Sequence, residues 1–263
     1  MEIAKKDIDH GKAFDWGKTS EDYAKFRDIY PAAFYAKLAK LSLGVRGQRA
    51  LDLGTGTGVI PRNMHHYGAE WTGADLSENQ IRYARKLSRE SGLNIEYLVA
   101  SAEQVDFPAE TFDVITACQC FMYFDKAVVL PKIHNMLKEQ GHFAILFMAW
   151  LPGESEIARN SENMVLNYNP SWTGGGMTRY VLQEPPWCGD MFRAANMMSY
   201  DLPVHFTRET WHGRIKACRG IGASGLSEGE IAAWEKEHWS YMQTVPEEFD
   251  ILHYVTILDL NKI

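Results

Sequence analysis

Cysteine is scarce, with four residues in 263, and their spacing excludes the usual uses of a cysteine framework. Cys118 and Cys120 form a lone Cys-x-Cys while Cys188 and Cys218 stand far off, so neither a zinc ribbon nor a redox Cys-x-x-Cys is present. A chain of this length buries about 70–75% of its unfolded surface and needs no disulfide to hold a core, so a reducing cytoplasm is the expected setting. Long hydrophobic runs are missing as well. The longest, Phe143 to Leu151, is half a membrane span, and the opening stretch Met1 to Lys12 alternates charges where a secretory signal would be apolar. Lysine and arginine never form a block and the net charge is −7, which argues against sequence-independent nucleic-acid binding. No repeat or low-complexity tract occurs, so solenoid and linker architectures drop out.

What is present between residues 48 and 150 is an alternation of strand and helix patterns at βαβ spacing, which predicts an α/β fold. Gln48 to Leu53, Glu70 to Leu76, Ile95 to Ala100, Phe112 to Cys118 and His142 to Trp150 read as strands. The last two are continuously apolar, as expected in a parallel sheet covered on both faces. Val59 to Tyr67 continues as a helix. Ser77 with Gln80 forms a capping box ahead of the stripe Ile81, Ala84 and Leu87. After Trp150 the texture changes: Pro152, Gly153, Pro170, the triplet Gly174 to Gly176 and Pro185-Pro186 interrupt short helical pieces such as Glu154 to Tyr168. This predicts a cap inserted after the fifth strand. A helix follows from near Thr207, another from the Ser227/Glu230 box along Ile231, Trp234, His238 and Met242, and Phe249 to Leu260 closes the chain as a strand. The expected organisation is 1–150 for an N-terminal lid segment plus a cofactor-binding core, 151–210 for the cap, and 211–263 for C-terminal helices and the closing strand.

Leu51-Asp52-Leu53-Gly54-Thr55-Gly56-Thr57-Gly58 sets three glycines between a strand and a helix, where backbone can approach a ligand closely and helix N–H groups point outward. That is a nucleotide-type cofactor loop. A dinucleotide fingerprint would carry its third glycine where Val59 stands, and no Gly-Lys-Ser/Thr follows, so the dinucleotide and Walker patterns both fail. Asp52 would also repel a pyrophosphate. Asp75, ending the second strand, can accept hydrogen bonds from both hydroxyls of a ribose, and one ribose without phosphate suits the pattern best.

With the glycine loop, Gly73-Ala-Asp75-Leu76-Ser77, Val99-Ala-Ser101-Ala102-Glu103 and Phe112-Asp113-Val-Ile-Thr116, the chain resembles the class I S-adenosylmethionine-dependent methyltransferases. A closer likeness, carried by Phe14-Asp-Trp16, Tyr23-x-x-x-Arg27 and Tyr30-Pro31, is to the small-molecule branch that includes trans-aconitate methyltransferase-like proteins. The resemblance implies a Rossmann-like, mostly parallel seven-strand sheet with helices on both faces and a mixed helical cap after the fifth strand. It implies S-adenosyl-L-methionine as cofactor and a small-molecule acceptor, with an N-terminal segment folding over the cofactor and Tyr23 and Arg27 near its methionine end. Asp52, Gly54, Thr55, Gly56, Asp75 and Leu76 are the expected cofactor contacts from the first two strands. Ala102 and Glu103 are expected beside the adenine. Two motif positions depart from the branch: Ser101 replaces a frequent Asp, and Met122-Tyr123-Phe124-Asp125 replaces His-Trp-Phe-Asp.

Cys118 and Gln119, at the carboxyl end of the fourth strand, stand where open α/β sheets bind ligands and are expected to touch the cofactor. Trp16, Met122, Tyr123 and Arg214 are the expected acceptor contacts, with Arg219 a second anchor for an acidic acceptor. No metal site is expected, since His65 and His66 point about 100° apart on a helix. A general base, where the acceptor needs one, would come from His142, His205, His212, His238 or His253. The expected reaction is in-line methyl transfer to O, N, S or C, under a cover made mobile by the triple glycine. Two rivals are a non-catalytic binder of the same cofactor and, further off, an NAD-dependent oxidoreductase.

Overall fold

A computed structural model describes residues 2–263. Helices α1 (Ser20–Phe26) and α2 (Ala32–Lys40) precede the sheet. Then come β1 (Arg49–Leu53), α3 (Val59–Met64), β2 (Glu70–Asp75), α4 (Glu78–Glu90), β3 (Glu96–Val99), β4 (Phe112–Cys118), α5 (Lys126–Met136) and β5 (Leu137–Trp150). The second half adds α6 (Glu156–Tyr168), β6 (Phe192–Thr207), α7 (Arg208–Lys216), α8 (Glu228–Met242) and β7 (Glu248–Lys262). The seven strands form one sheet in the order β3-β2-β1-β4-β5-β7-β6. The pairs β2/β3, β1/β2, β1/β4 and β4/β5 are parallel. The Ile263 N–H reaches the Met191 carbonyl, so β7 ends where β6 begins and these two strands run oppositely.

Local chemistry accounts for the elements. β1 and β4 interleave Leu51, Leu53, Val114, Ile115 and Ala117, all fully buried, because a central parallel strand is covered on both faces. Ser77 caps α4 by accepting the Gln80 N–H, and Thr207 and Ser227 cap α7 and α8 through reciprocal boxes with Thr210 and Glu230.

The chain forms two compact units. One comprises residues 30–148, 181–200 and 255–263, and the other residues up to 29, 149–180 and 201–254. Three of the five boundaries fall inside β5, β6 and β7. In the first unit the core gathers Leu51, Leu53, Phe112, Ile115, Phe143, Phe192, Leu258 and Leu260. Residues 192–207, expected within the cap, instead form the edge strand β6. The strand pattern was muted there because only its even positions are partly covered while Arg193, Ala195, Met197 and Ser199 face solvent. Among the described residues no helix is long and apolar enough to cross a membrane.

Candidate functional site

The glycine loop leaves β1 at Leu53 and enters α3 at Val59, with Gly54, Gly56 and Gly58 all at positive φ (+66°, +56° and +75°). Two of these positions also have no room for a side chain. A Cβ on Gly54 would stand 2.7 Å from the Cys120 Sγ, and one on Gly58 would stand 2.3 Å from the Tyr97 hydroxyl oxygen. The loop is therefore pinned from beneath, with its amides held at the carboxyl ends of the strands.

Asp75 joins this loop to β2. Its Oδ2 accepts the Gly56 N–H at 2.9 Å and its Oδ1 accepts the Ser77 N–H at 2.8 Å. Each oxygen has a lone pair beyond the bond it already accepts, so the carboxylate can still receive two hydroxyls. Burial raises the Asp75 carboxyl above the usual range, against the pull of these two amides. Thr55 N–H is anchored on the Ala74 carbonyl and Ala100 N–H on the Asp75 carbonyl, which knits the loop, β2 and the segment after β3 into one rim.

Asp52 lies beneath that rim, 1% exposed, accepting the Thr116 hydroxyl at 2.6 Å. Desolvation pushes its carboxyl up to about 7, opposed by the Thr116 and Thr55 hydroxyls and assisted by the nearby charge of Asp75. Asp52 was expected among the direct cofactor contacts; its carboxylate faces the core. Leu76 is half-buried and Ala102 buried at the rim. Glu103 uses Oε1 to accept the Asp125 N–H at 2.9 Å, which ties the segment after β3 to the N-cap of α5.

At the end of β4 the Cys118 Sγ lies 3.3 Å from the Tyr30 hydroxyl, and the Cys120 thiol donates to the Leu53 carbonyl at 3.1 Å. Gln119 adopts φ +62°, sends its side-chain amide to the Met148 carbonyl and its backbone N–H to Leu146. That geometry holds Gln119 on β5. Met122 is exposed and Tyr123 half-buried in the short turn Phe121–Tyr123 that follows.

The remaining expected residues belong to the other unit. The Arg27 guanidinium lies 4.7 Å over the Tyr23 ring and 5.7 Å over Trp16, and the two rings meet edge-on. Arg214 is 5% exposed and stacks 4.8 Å over Trp150, whose indole N–H donates to Glu162. Arg219 lies past the end of α7 and forms a 2.7 Å ion pair with the buried Asp9, which corrects the expectation of a free second anchor. Two of the three glycines have a packing reason: Cβ atoms on Gly174 and Gly175 would meet Trp172 at 2.5 and 2.9 Å, while Gly176 has open space around it and a positive φ of +73°.

Among the histidines, His142 pairs with Val114 four residues before the Cys118/Leu146 pair, toward the amino ends of the strands and away from the glycine loop. It bonds Asp259 at 2.8 Å, which raises its pKa. His205 is exposed, and His238 and His253 are fully buried, with burial pushing them down to about 3 and about 4. Sequence reasoning missed Thr116, Cys120 and Tyr97 as supports of the loop, and Tyr30 as the partner of Cys118. Only Tyr30 carried a signal, in Tyr30-Pro31.

The family described as "Methyltransferase domain" matches residues 51–145. A ubiquinone biosynthesis O-methyltransferase from Marinobacter nauticus is 30% identical over 162 residues, covering 60% of this chain and 67% of that protein. A candidate methyltransferase from Dictyostelium discoideum is 27% identical over 152 residues, 58% of this chain and 54% of its own length. The chain thus spans about half to two thirds of the length of these two relatives. Among solved structures, a candidate methyltransferase from Bacillus halodurans superposes with a TM-score of 0.54 at 15% identity, over 87% of this chain and 98% of that one. A geranyl diphosphate methyltransferase solved with S-adenosylmethionine superposes at 0.50 and 15% identity, over 88% and 85%, and at such identities these two matches speak for the fold. With a glycine loop and strand-end aspartate on this sheet, and two thirds of an O-methyltransferase aligned to it at 30% identity, the chain belongs to the class I S-adenosylmethionine-dependent methyltransferase family.

Proposed function

We propose that the protein transfers the methyl group of S-adenosylmethionine to a free small molecule in the cytoplasm, without a nucleic-acid or membrane partner. The observation that carries this reading is Asp75, a half-buried strand-end carboxylate already organised by Gly56 and Ser77 N–H groups and still able to accept a ribose diol. The backbone of Gly54, Thr55 and Gly56 lies beside it, and Leu76, Ala102 and Glu103 form the adenine side. Cys118 and Gln119 form the side toward the reacting end. Tyr23 and Arg27 are the residues for the methionine end, and Asp52 acts on the site from beneath.

When bound, S-adenosylmethionine supplies a methyl group already activated on a sulfonium. The protein's own task is to hold an acceptor at near-attack distance and keep water away, which contributes about 7–11 kcal/mol in well-oriented systems. Trp16, Met122 and Tyr123 are the apolar and aromatic acceptor contacts. Arg214, a permanently charged planar cation, suits a carboxylate on the acceptor. The relatives named as ubiquinone biosynthesis O-methyltransferases make an oxygen acceptor the first to try.

Calorimetry with S-adenosylhomocysteine and with NAD, followed by transfer of labelled methyl to a panel of hydroxyl, carboxyl, amine and thiol acceptors, tests the reading. Binding of S-adenosylhomocysteine together with labelled product is expected. Binding of NAD alone would overturn it, and binding of the thioether with no turnover on any acceptor would favour the non-catalytic binder.

A further inference from the structure

Two carboxylates lie at the ends of adjacent parallel strands, Asp52 fully buried and Asp75 half-buried, and among the described residues neither is in an ion pair with a lysine or arginine. Asp52 stands opposite Gly73 in the β1/β2 register, and Asp75 ends β2 two residues further on. The groups that act on them come from every neighbouring element. Thr116 of β4 donates its hydroxyl to Asp52, Thr55 lies in the loop, and Cys120 follows β4 with Cys118 beside it. Tyr97 comes from β3, and Arg62 of α3 acts on Tyr97. Burial drives the Cys120 thiol well above its ordinary value and Tyr97 up to about 12, so neither gives up a proton near neutrality. Among the described residues, the groups acting on the two carboxylates are hydroxyls, backbone amides and the carboxylates themselves, with no lysine or arginine among them. The buried charge of Asp52, beside a half-buried Asp75 that already accepts two backbone N–H groups, is therefore neutralised by a proton or by a ligand.

We propose, resting on the assignment of this loop to the cofactor, that the Asp52–Asp75 pair releases a proton when a cationic ligand enters, so that the site discriminates the sulfonium donor from its neutral thioether product more strongly as pH rises. The donor carries one more positive charge than the product. Near two carboxylates in a low-dielectric site that extra charge favours the ionised pair, and the proton leaves to buffer. The same linkage weakens the hold on the product after transfer, because a site that has lost the cation takes its proton back.

The experiment is calorimetry of the full chain with S-adenosylmethionine and with S-adenosylhomocysteine from pH 5.5 to 7.5, each in two buffers of different ionisation enthalpy. The donor is expected to release more protons than the product. The ratio of product to donor dissociation constants should rise about tenfold across that range, which corresponds to an extra shift of about one pH unit in the carboxyl group. Asp52→Asn should remove the rise while leaving the ligands' own titration in place. Thr116→Val, which keeps the carboxyl but withdraws the hydroxyl that favours its charged form, should move the rise to higher pH and guards against an Asn variant that fails to fold. Donor binding with a flat ratio in the wild type, or a rise that survives in Asp52→Asn, overturns this inference alone. No heat with either ligand overturns the cofactor reading and this inference with it.

Discussion

Asp75 works through two bonds it already makes and two it can still accept, so truncation should be felt in binding as well as in folding. Asp75→Ala is expected to weaken S-adenosylhomocysteine binding by about 1.5–3 kcal/mol, roughly 10- to 150-fold, because a charged acceptor of hydroxyl donors is lost. An affinity unchanged by calorimetry would mean that the ribose is held elsewhere. Gly54 is a different kind of residue, fixed by strain and space together. At φ +66°, with the Cys120 Sγ and Cβ within 2.9 Å of where a Cβ would be, Gly54→Ala should destabilise the protein by about 1–3 kcal/mol in urea. Adding Cys120→Gly should return the part caused by the contact and leave the part caused by the backbone. If Gly54→Ala costs as much in the Cys120→Gly background as in the wild type, the whole cost belongs to backbone strain. The glycines were legible in the sequence because their spacing is local. Cys120, Thr116 and Tyr97 were not, since their roles arise only when β3 and β4 are laid beside β1.

Helices α7 and α8 carry a pair of histidines whose protonation is set by a chain of hydrogen bonds. Trp211 donates its indole N–H to the Ser161 hydroxyl, and Ser161 donates to the Ile157 carbonyl, so the hydrogen of His238 is assigned to Nε2, which lies 2.9 Å from Ser161. His238 Nδ1 is then a bare acceptor for His212 Nδ1–H at 2.8 Å, and a second proton on His238 would face that donor head-on. Burial, with His212 beside it, pushes His238 down to about 3. Between pH 6.5 and that value the unfolded chain binds a proton that the folded one refuses. Stability from this group is therefore complete above about pH 6.5 and falls as pH drops, by about 2–3 kcal/mol at pH 4.5. His253 adds a loss of the same sign, whereas His142, raised by Asp259, contributes below its ordinary pKa and loses that contribution as pH rises. Unfolding free energies from urea titrations at pH 7 and 4.5 should differ less in His238→Asn than in the wild type, by about 2–3 kcal/mol, with the His253 and His142 contributions remaining; an equal difference in the variant would place the effect elsewhere. At this scale the sequence was informative where a pattern is continuous. β4 and the Ser227 box of α8 were read directly, while β6, half-covered on one face and open on the other, gave no apolar run to read, and the glycine triplet suggested motion where, at Gly174 and Gly175, Trp172 demands closeness.

Three strands, β5, β6 and β7, each contribute residues to both compact units, so neither unit is a contiguous piece of chain. The last nine residues of the described chain, 255–263, belong with a core that begins at residue 30, and they supply Leu258 and Leu260 to the cluster around Leu51 and Leu53. Asp259, fully buried in the same segment, accepts from His142 and from Asn196 and so joins β7 to β5 and β6 by side chains as well as backbone. Loss of 255–263 would strip two buried leucines and leave His142 and Asn196 without their acceptor, which together exceed a large share of a typical domain's 5–15 kcal/mol. A chain ending at residue 254 is accordingly expected to show no cooperative unfolding and no S-adenosylhomocysteine binding. In the whole chain, continuity through three strands should make the two units melt together. A ligand held by the glycine loop and Asp75 at 100 times its dissociation constant adds about 2.7 kcal/mol to whatever unfolds with that loop. Scanning calorimetry should therefore show one transition that moves upward as a whole when S-adenosylhomocysteine is added. Two transitions, of which only one moves, would mean that the strand boundaries in β5, β6 and β7 let the units unfold separately, and that the unit holding Trp16, Tyr23 and Arg27 gains no stability from what the loop binds.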